Sequence, residues 1–304
     1  MTERVYIVGA GAIGKALAVF LTSNGKEVIL IRGSVDDGTE ETVSLEILLN
    51  NNTTVKADVL TSTFSQQKNL DGVVVLTNKS FGNASVAAAL KEKIGTSPIV
   101  IMQNGLNIEE PFLDDQFEYI YRCVLFATSQ SITDRTVRFK PVALSAIGNV
   151  KGSGSHLQQI VACLSTGEFG FQAVPDIHPI IWKKVIANCV FNSICPLLDT
   201  DNGIFYRDEA ARSLAIEVIA ECVHVARATG VAIDENEVLQ TVLLISKSSD
   251  GQLISTLQDI RNKRPTEIDS LNFAIVKIAS QLNMAEVTLK TKLLGELTKL
   301  KSHL

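Results

Sequence analysis

Arg4-Val5-Tyr6-Ile7-Val8-Gly9-Ala10-Gly11-Ala12-Ile13-Gly14-Lys15 is the stretch that sets the fold of this chain. A short apolar run leads directly into G-x-G-x-x-G, and residues 15–21 read as a helix. With a strand before it and a helix after it, each glycine has its own task. Gly9 permits the tight turn. Gly11 lets the backbone approach a pyrophosphate, which then sits on the unpaired N–H groups of the helix N-terminus. Gly14 lets the helix pack closely on the strand. Gly9, Ala10, Gly11, Ala12, Ile13 and Gly14 are therefore expected to bind a dinucleotide; without a ligand they make only a glycine-rich turn.

Moving outward, a second strand at 27–31 ends at Arg32. An NAD-type fold usually carries Asp or Glu here for the ribose 2′-OH, whereas a guanidinium suits a 2′-phosphate. NADP(H) is expected, unless one of the nearby acids Asp36, Asp37, Glu40 or Glu41 swings back. Alternation over 41–59 predicts two strands joined at Asn50-Asn51-Asn52. Val73-Val74-Val75-Leu76 reads as a buried parallel strand. Lys79 follows it at the edge where open α/β sheets bind ligands, so it is either a cofactor contact or a surface lysine. A helix at 84–93 and a strand at 99–102 lead to Gln103-Asn104-Gly105, a turn on the same edge. Strands near 119–127 and 137–145 look antiparallel, turning at Asp134-Arg135. A helix at 156–164 and a strand at 171–174 close a first domain at residue 175.

From 176 to 304 the periodicity is helical, with runs at 180–198, 209–229, 235–247, 266–283 and 287–300. The expected fold is α/β: a Rossmann-like dinucleotide-binding domain (1–175), then an all-α domain (176–304). In the run 181–194, Trp182, Val185, Ile186, Cys189, Val190, Phe191 and Ile194 point all round the axis, so the helix should be buried. Yet Lys184, Asn188 and Asn192 recur at spacing four and share one face. Buried amides and an ammonium need partners. An internal hydrogen-bond network would supply them, and so would a substrate pocket with one cationic acid and two amide clamps. Pro265 ahead of Glu267 reads as helix-start chemistry, in which Glu267 could be no more than an acid that complements the helix dipole. Ser255 could be a cap.

Of 304 residues, 46% are hydrophobic and 20% charged, which describes a globular chain with ample core. The net charge is −5 and the cations are scattered, which argues against nucleic acid or an anionic membrane as partner. No run of about 18 apolar residues is free of charge, and Met1-Thr2-Glu3-Arg4 leads straight into a strand, so neither a leader nor an anchor is expected. Five dispersed cysteines without a CxxC pair read as reduced thiols in the cytoplasm. The four histidines show no metal-ligand spacing, and no metal site is expected.

Together these residues resemble the ketopantoate reductases (2-dehydropantoate 2-reductases) over essentially the whole chain. The likeness is carried by residues 9–14, Lys79, Asn104-Gly105, Trp182-Lys183-Lys184 with Asn188 and Asn192, Ser255-Thr256-Leu257-Gln258-Asp259 and Thr266-Glu267-Ile268-Asp269. It implies NADPH-dependent reduction of ketopantoate to pantoate, a step feeding pantothenate synthesis, with Lys184 as proton donor. By the same likeness Asn188, Asn192, Asn202 and Ser255 contact substrate, Lys79 and Asn104 touch the nicotinamide half of the cofactor, and Glu267 lies beside the cofactor ribose and the substrate. Two positions depart from the family: Gly82 stands where glutamine often follows the lysine by three, and Ile204-Phe205 where Glu-Leu is common. Another 2-oxo acid as substrate, or a dinucleotide sensor without chemistry, stays open, as does a homodimer, with which an apolar helical domain is compatible.

Overall fold

The computed structural model describes residues 4–51 and 53–304, which divide into two compact units. One runs to Gln103 and takes in Ile108–Ile177; the other holds Asn104–Asn107 and His178–Leu304. Residues 1–3, used in arguing against a leader, and the last position of the expected 50–52 turn lie outside the described residues.

In the first unit the described residues form one eleven-stranded sheet. Its strands are β1 (Val5–Val8), β2 (Val28–Ile31), β3 (Glu41–Leu49), β4 (Thr54–Ser62), β5 (Val73–Leu76), β6 (Ile99–Ile101), β7 (Ile120–Val124), β8 (Ala127–Ser131), β9 (Thr136–Pro141), β10 (Ser145–Lys151) and β11 (Phe171–Ala173), in the order β11-β10-β7-β6-β5-β1-β2-β4-β3-β9-β8. The helices are α1 (Ala12–Ser23), α2 (Asn83–Leu90), α3 (Glu110–Asp114) and α4 (Leu157–Leu164). β1, β2 and β5 are buried at every residue, because both sheet faces are covered. Val5, Ile7, Leu30 and Val75 share one core with Leu17 and Phe20 of α1. Tyr6, Val8, Ile31 and Leu76 share the other with Val86 and Leu90 of α2. β1 lies parallel to both β2 and β5, and the chain runs from β1 to β2 before crossing to β5. That reversal of strand order is the Rossmann switch point, with its ligand crevice at the strand C-termini.

The region 119–145 differs from expectation. β7 stops at Val124 beside β6, whereas β8 begins at Ala127 and pairs with β9 at the far end of the sheet order. The change of partner falls at Phe126, whose N–H donates to the Ser145 hydroxyl while its carbonyl accepts from Val142 N. Pattern alone shows alternation but not a change of neighbour.

The second unit is helical: α5 (His178–Leu198), α6 (Ile204–Arg207), α7 (Glu209–Ala228), α8 (Glu235–Ser248), α9 (Ser255–Arg261), α10 (Asn272–Gln281) and α11 (Leu289–Lys301). Asp208 and Asp234 cap α7 and α8 by accepting from Ala211 N and Glu237 N. α5 packs against α7, α8, α9 and α11, and all seven apolar side chains singled out along it are buried. Among the described residues it is the helix long and apolar enough to cross a membrane, and 72% of that apolar window is buried inside the protein. The 266–283 run is not one helix. A 3-10 turn at Ile268–Ser270 precedes α10, so Pro265 opens no α-helix and Glu267 has no helical first turn to complement.

The cysteines are free, and four of the five are buried. Burial, with the Asp201 carboxylate nearby, pushes the Cys195 thiol up to about 12.

Candidate functional site

The glycine turn is built by close approach. Gly9 has φ +112°, and a Cβ there would meet Asn78 N at 2.4 Å. The Thr77 hydroxyl pins the turn by donating to Val8 O (3.1 Å) and Gly9 O (2.8 Å). A Cβ on Gly14 would meet Gly9 O at 2.0 Å, so α1 can lie this close only with glycine there. Gly11 differs: its φ is ordinary, and nothing lies within 4 Å of a Cβ built on it. It is the N-cap residue of α1, which has no side-chain cap and no acid in its first turn. Ala10, Ala12 and Ile13 are half-buried around it. Space, exposed N–H groups and a positive dipole end fit the phosphates of a dinucleotide.

At the end of β2, Arg32 holds its place by donating its N–H to Ser62 O (2.9 Å). One of the nearby acids does swing back. Arg32 Nη2 donates to Asp37 Oδ1 at 2.7 Å and, more distantly, to Thr39 O at 3.4 Å. The same Asp37 oxygen accepts from Thr39 N at 3.0 Å. Thr39, and then the Arg32 charge, hold the Asp37 carboxyl below the ordinary range. Asp36 turns instead to Ser65 N, and Glu40 to the Ser62 hydroxyl.

Beyond β5, Lys79 is exposed and opens the 3-10 turn Ser80–Gly82. Four residues on, Asn83 is 2% exposed and forms a reciprocal amide pair with Gln103 (2.8 and 2.7 Å). Asn83 Nδ2 also donates to Ile108 O at 2.8 Å, and its Oδ1 accepts from Asn78 Nδ2 at 3.2 Å. The loop after β5 is thereby tied to the end of β6. Sequence reasoning missed this brace: Gln103 stood out at its strand end, but nothing local points to a partner twenty residues away.

Asn104 belongs to the second unit. Gly105 beside it has φ +119°, and a Cβ there would meet Ser270 Cβ at 2.6 Å. Leu106 N donates to Ser270 O (3.0 Å), while Ser270 N and Oγ both donate to Glu267 O (3.1 Å each). The Asn104 loop and the Glu267 turn are thus brought together.

On α5, Lys184 and Asn188 are half-buried and Asn192 is 2% exposed. Asn192 Oδ1 accepts from the Ser255 hydroxyl and from Thr256 N, each at 3.3 Å. Ser255 is the first residue of α9, and it bonds to α5 rather than capping its own helix. Lys183 points elsewhere, donating to Glu237 at 2.8 Å on α8. Asn202 is 7% exposed, and its Oδ1 is buried without a hydrogen-bond partner among the described residues. Its backbone is held at both ends, N–H to Gln252 O and carbonyl from the Ser246 hydroxyl. A buried acceptor left without a donor is costly.

Two family models divide the chain between them: "Ketopantoate reductase PanE/ApbA" matches residues 5–152, and its C-terminal model matches 176–300. The chain belongs to the ketopantoate reductase family. A 2-dehydropantoate 2-reductase of Pyrococcus horikoshii is 26% identical over 286 residues, covering 92% of each chain. Among solved structures, a D-mandelate dehydrogenase with NADH and anilino(oxo)acetate superposes with TM-score 0.84 at 21% identity, covering 99% of this chain and 98% of that one. A dimeric ketopantoate reductase from Staphylococcus aureus gives 0.83 at 18%, covering 99% of both. Both support the fold, Rossmann-like then helical, and the family is one of dinucleotide-dependent reductases. The two departures from the ketopantoate reductase pattern have structural counterparts. Phe205 is fully buried and packs edge-on against Phe191 of α5 at 5.0 Å, so it serves the core. After Lys79, a buried amide does appear, but one residue late, at Asn83.

Proposed function

We propose that this protein reduces 2-dehydropantoate to pantoate with NADPH, in the cytoplasm, as a step of pantothenate synthesis. Residues 1–175 act as the NADP-binding domain and 176–304 as the substrate and catalytic domain. The glycine turn of residues 9–14 takes the diphosphate and Arg32 the 2′-phosphate. Lys79 and Asn104 contact the nicotinamide half, and Glu267 the ribose and substrate.

The observation that carries this reading is Asn192, an amide buried on a largely apolar helix, in line with Asn188 and Lys184. Its oxygen is already engaged by Ser255 and Thr256, while no described residue accepts from its Nδ2, so that donor edge suits the carboxylate of a 2-oxo acid. Asn188, Asn202 and Ser255 complete the substrate contacts. When bound, NADPH supplies the hydride that reduces the carbonyl carbon. Negative charge then grows on the carbonyl oxygen, and the Lys184 ammonium stabilises it and delivers a proton from Nζ. Lys184 regains its proton from solvent, which balances the reaction. A homodimer is the assembly favoured by likeness to the Staphylococcus aureus enzyme.

A second reading keeps the chemistry and changes the acid; the D-mandelate dehydrogenase, equally close in fold, favours it. The deciding experiment is NADPH oxidation by the purified protein with ketopantoate and a panel of other 2-oxo acids. Fast turnover on ketopantoate alone is expected. Turnover on a different acid moves the substrate, and binding of NADPH without any turnover overturns the enzymatic reading in favour of a sensor.

A further inference from the structure

We propose that Asp37 sets the cofactor selectivity of this protein by competing with a 2′-phosphate for Arg32; this rests on the assignment of Arg32 to that phosphate. A guanidinium offers two bidentate edges, Nε with Nη2 and Nη1 with Nη2. Nη2 is common to both. It is this nitrogen that Asp37 occupies at 2.7 Å, with Thr39 O also near it at 3.4 Å. Nε, by contrast, is buried and has no hydrogen-bond partner among the described residues. With Nε shielded from solvent, an incoming phosphate is left the Nη1–Nη2 edge, and two-point binding there has to displace Asp37 or share Nη2 with it.

The carboxylate is held there by its own turn. Gly38 adopts φ +73°, and the chain doubles back so that Asp37 Oδ1 takes Thr39 N at 3.0 Å while facing Arg32. An incoming 2′-phosphate therefore meets a fixed like charge as well as an occupied donor. A ribose 2′-OH meets neither difficulty, since a hydroxyl can donate to the carboxylate. Asp37 thus works in two directions: it weakens NADPH and offers NADH a partner. The balance between the two cofactors is set by the Arg32–Asp37 pair rather than by Arg32 alone.

Asp37→Asn tests this with little disturbance, because the amide oxygen can still accept from Thr39 N while the charge is gone. Asp37→Ala removes the side-chain contact altogether, in case the amide stays on Arg32. The readout is the dissociation constant of NADPH and of NADH, each titrated by nicotinamide fluorescence without substrate, with Arg32→Ala as reference. With Arg32 freed, one or both Asp37 variants should bind NADPH about tenfold more tightly, the gain expected when a charge-assisted contact becomes available. NADH should bind no more tightly than before. If neither variant gains on NADPH while Arg32→Ala loses it, Asp37 is no competitor and the proposal is overturned. Equal gains for both cofactors overturn it as well. If Arg32→Ala leaves NADPH binding unchanged, the assignment of Arg32 itself fails, and the role of Asp37 falls with it.

Discussion

Asn192 Oδ1 accepts from the Ser255 hydroxyl and from Thr256 N, so one side chain of α5 binds the first turn of α9. On the proposed reading Asn192 has two separable tasks, holding α9 with its oxygen and presenting Nδ2 to substrate. Asn192→Ala should leave the buried Thr256 N–H unpaired and lower stability by about 1–3 kcal/mol. Asn192→Asp keeps the acceptor, loses the donor and sets a negative charge against a substrate carboxylate. Burial of the new carboxylate should lower its melting temperature, but its signature is a sharply raised KM for the 2-oxo acid, with NADPH binding unchanged. Thermal melts and steady-state kinetics on the two variants separate the roles.

The glycines make opposite predictions. Gly14→Ala drives a Cβ to 2.0 Å from Gly9 O, a backbone atom that cannot step aside, and should cost at least about 2 kcal/mol of stability. Gly11→Ala meets nothing within 4 Å, and as a change at an N-cap it should cost less than about 1 kcal/mol. It should nonetheless weaken the dinucleotide at least about tenfold, because the added methyl enters the space assigned to phosphate. Melting temperature and fluorescence titration read the two effects apart.

The Asn83–Gln103 pair predicts strong coupling. Removing either amide leaves the other buried and unpaired, at about 1–3 kcal/mol. Replacing both with leucine removes both unpaired groups, so the double variant should lose clearly less than the sum of the single losses. Additive losses in a double-mutant cycle would contradict the brace.

The Asn202 turn carries an acid-sensitive contact. Burial works to raise the Asp201 carboxyl, but the N–H groups of Gly203 and Gly251 and the Arg207 guanidinium outweigh it and hold it below its ordinary value of 3.8. A lowered folded value means that the stabilisation is fully present above the ordinary carboxylate pKa and is lost as the pH falls through the folded one. Asp201→Asn should therefore melt lower than the parent at neutral pH, with the gap closing as the pH drops below 3.8. Melts across an acid pH series check this.

The parts of the fold legible in the sequence are those in which one short stretch determines its own surroundings. The run 4–15 contains its strand, its turn and its helix, and the buried parallel strands announce themselves as unbroken apolar runs. α5 was legible for the same reason, as was the face shared by Lys184, Asn188 and Asn192. Illegible were the features that depend on a distant partner. Asp37 stood among four acids with nothing local to say which would turn back. The change of partner strand at Phe126 needs Ser145. The break before α10 is conformational: Ile268–Ser270 wind as a 3-10 turn, with Ser270 packed on Gly105, although the run 266–283 reads as one helix. The departure from the family pattern at Ile204-Phe205 has no local explanation in the sequence; in the fold Phe205 fills the core against Phe191.

The central claim is that the Lys184 ammonium delivers the proton. The most direct test is single-turnover NADPH oxidation with saturating 2-oxo acid, comparing the parent protein with Lys184→Ala and with Lys183→Ala. Lys183 lies about 100° round the helix and is paired with Glu237, so it serves as the adjacent control. Lys184→Ala should slow the reaction about 100- to 10,000-fold with NADPH affinity intact, while Lys183→Ala stays near the parent rate. An undiminished rate in Lys184→Ala would contradict the account.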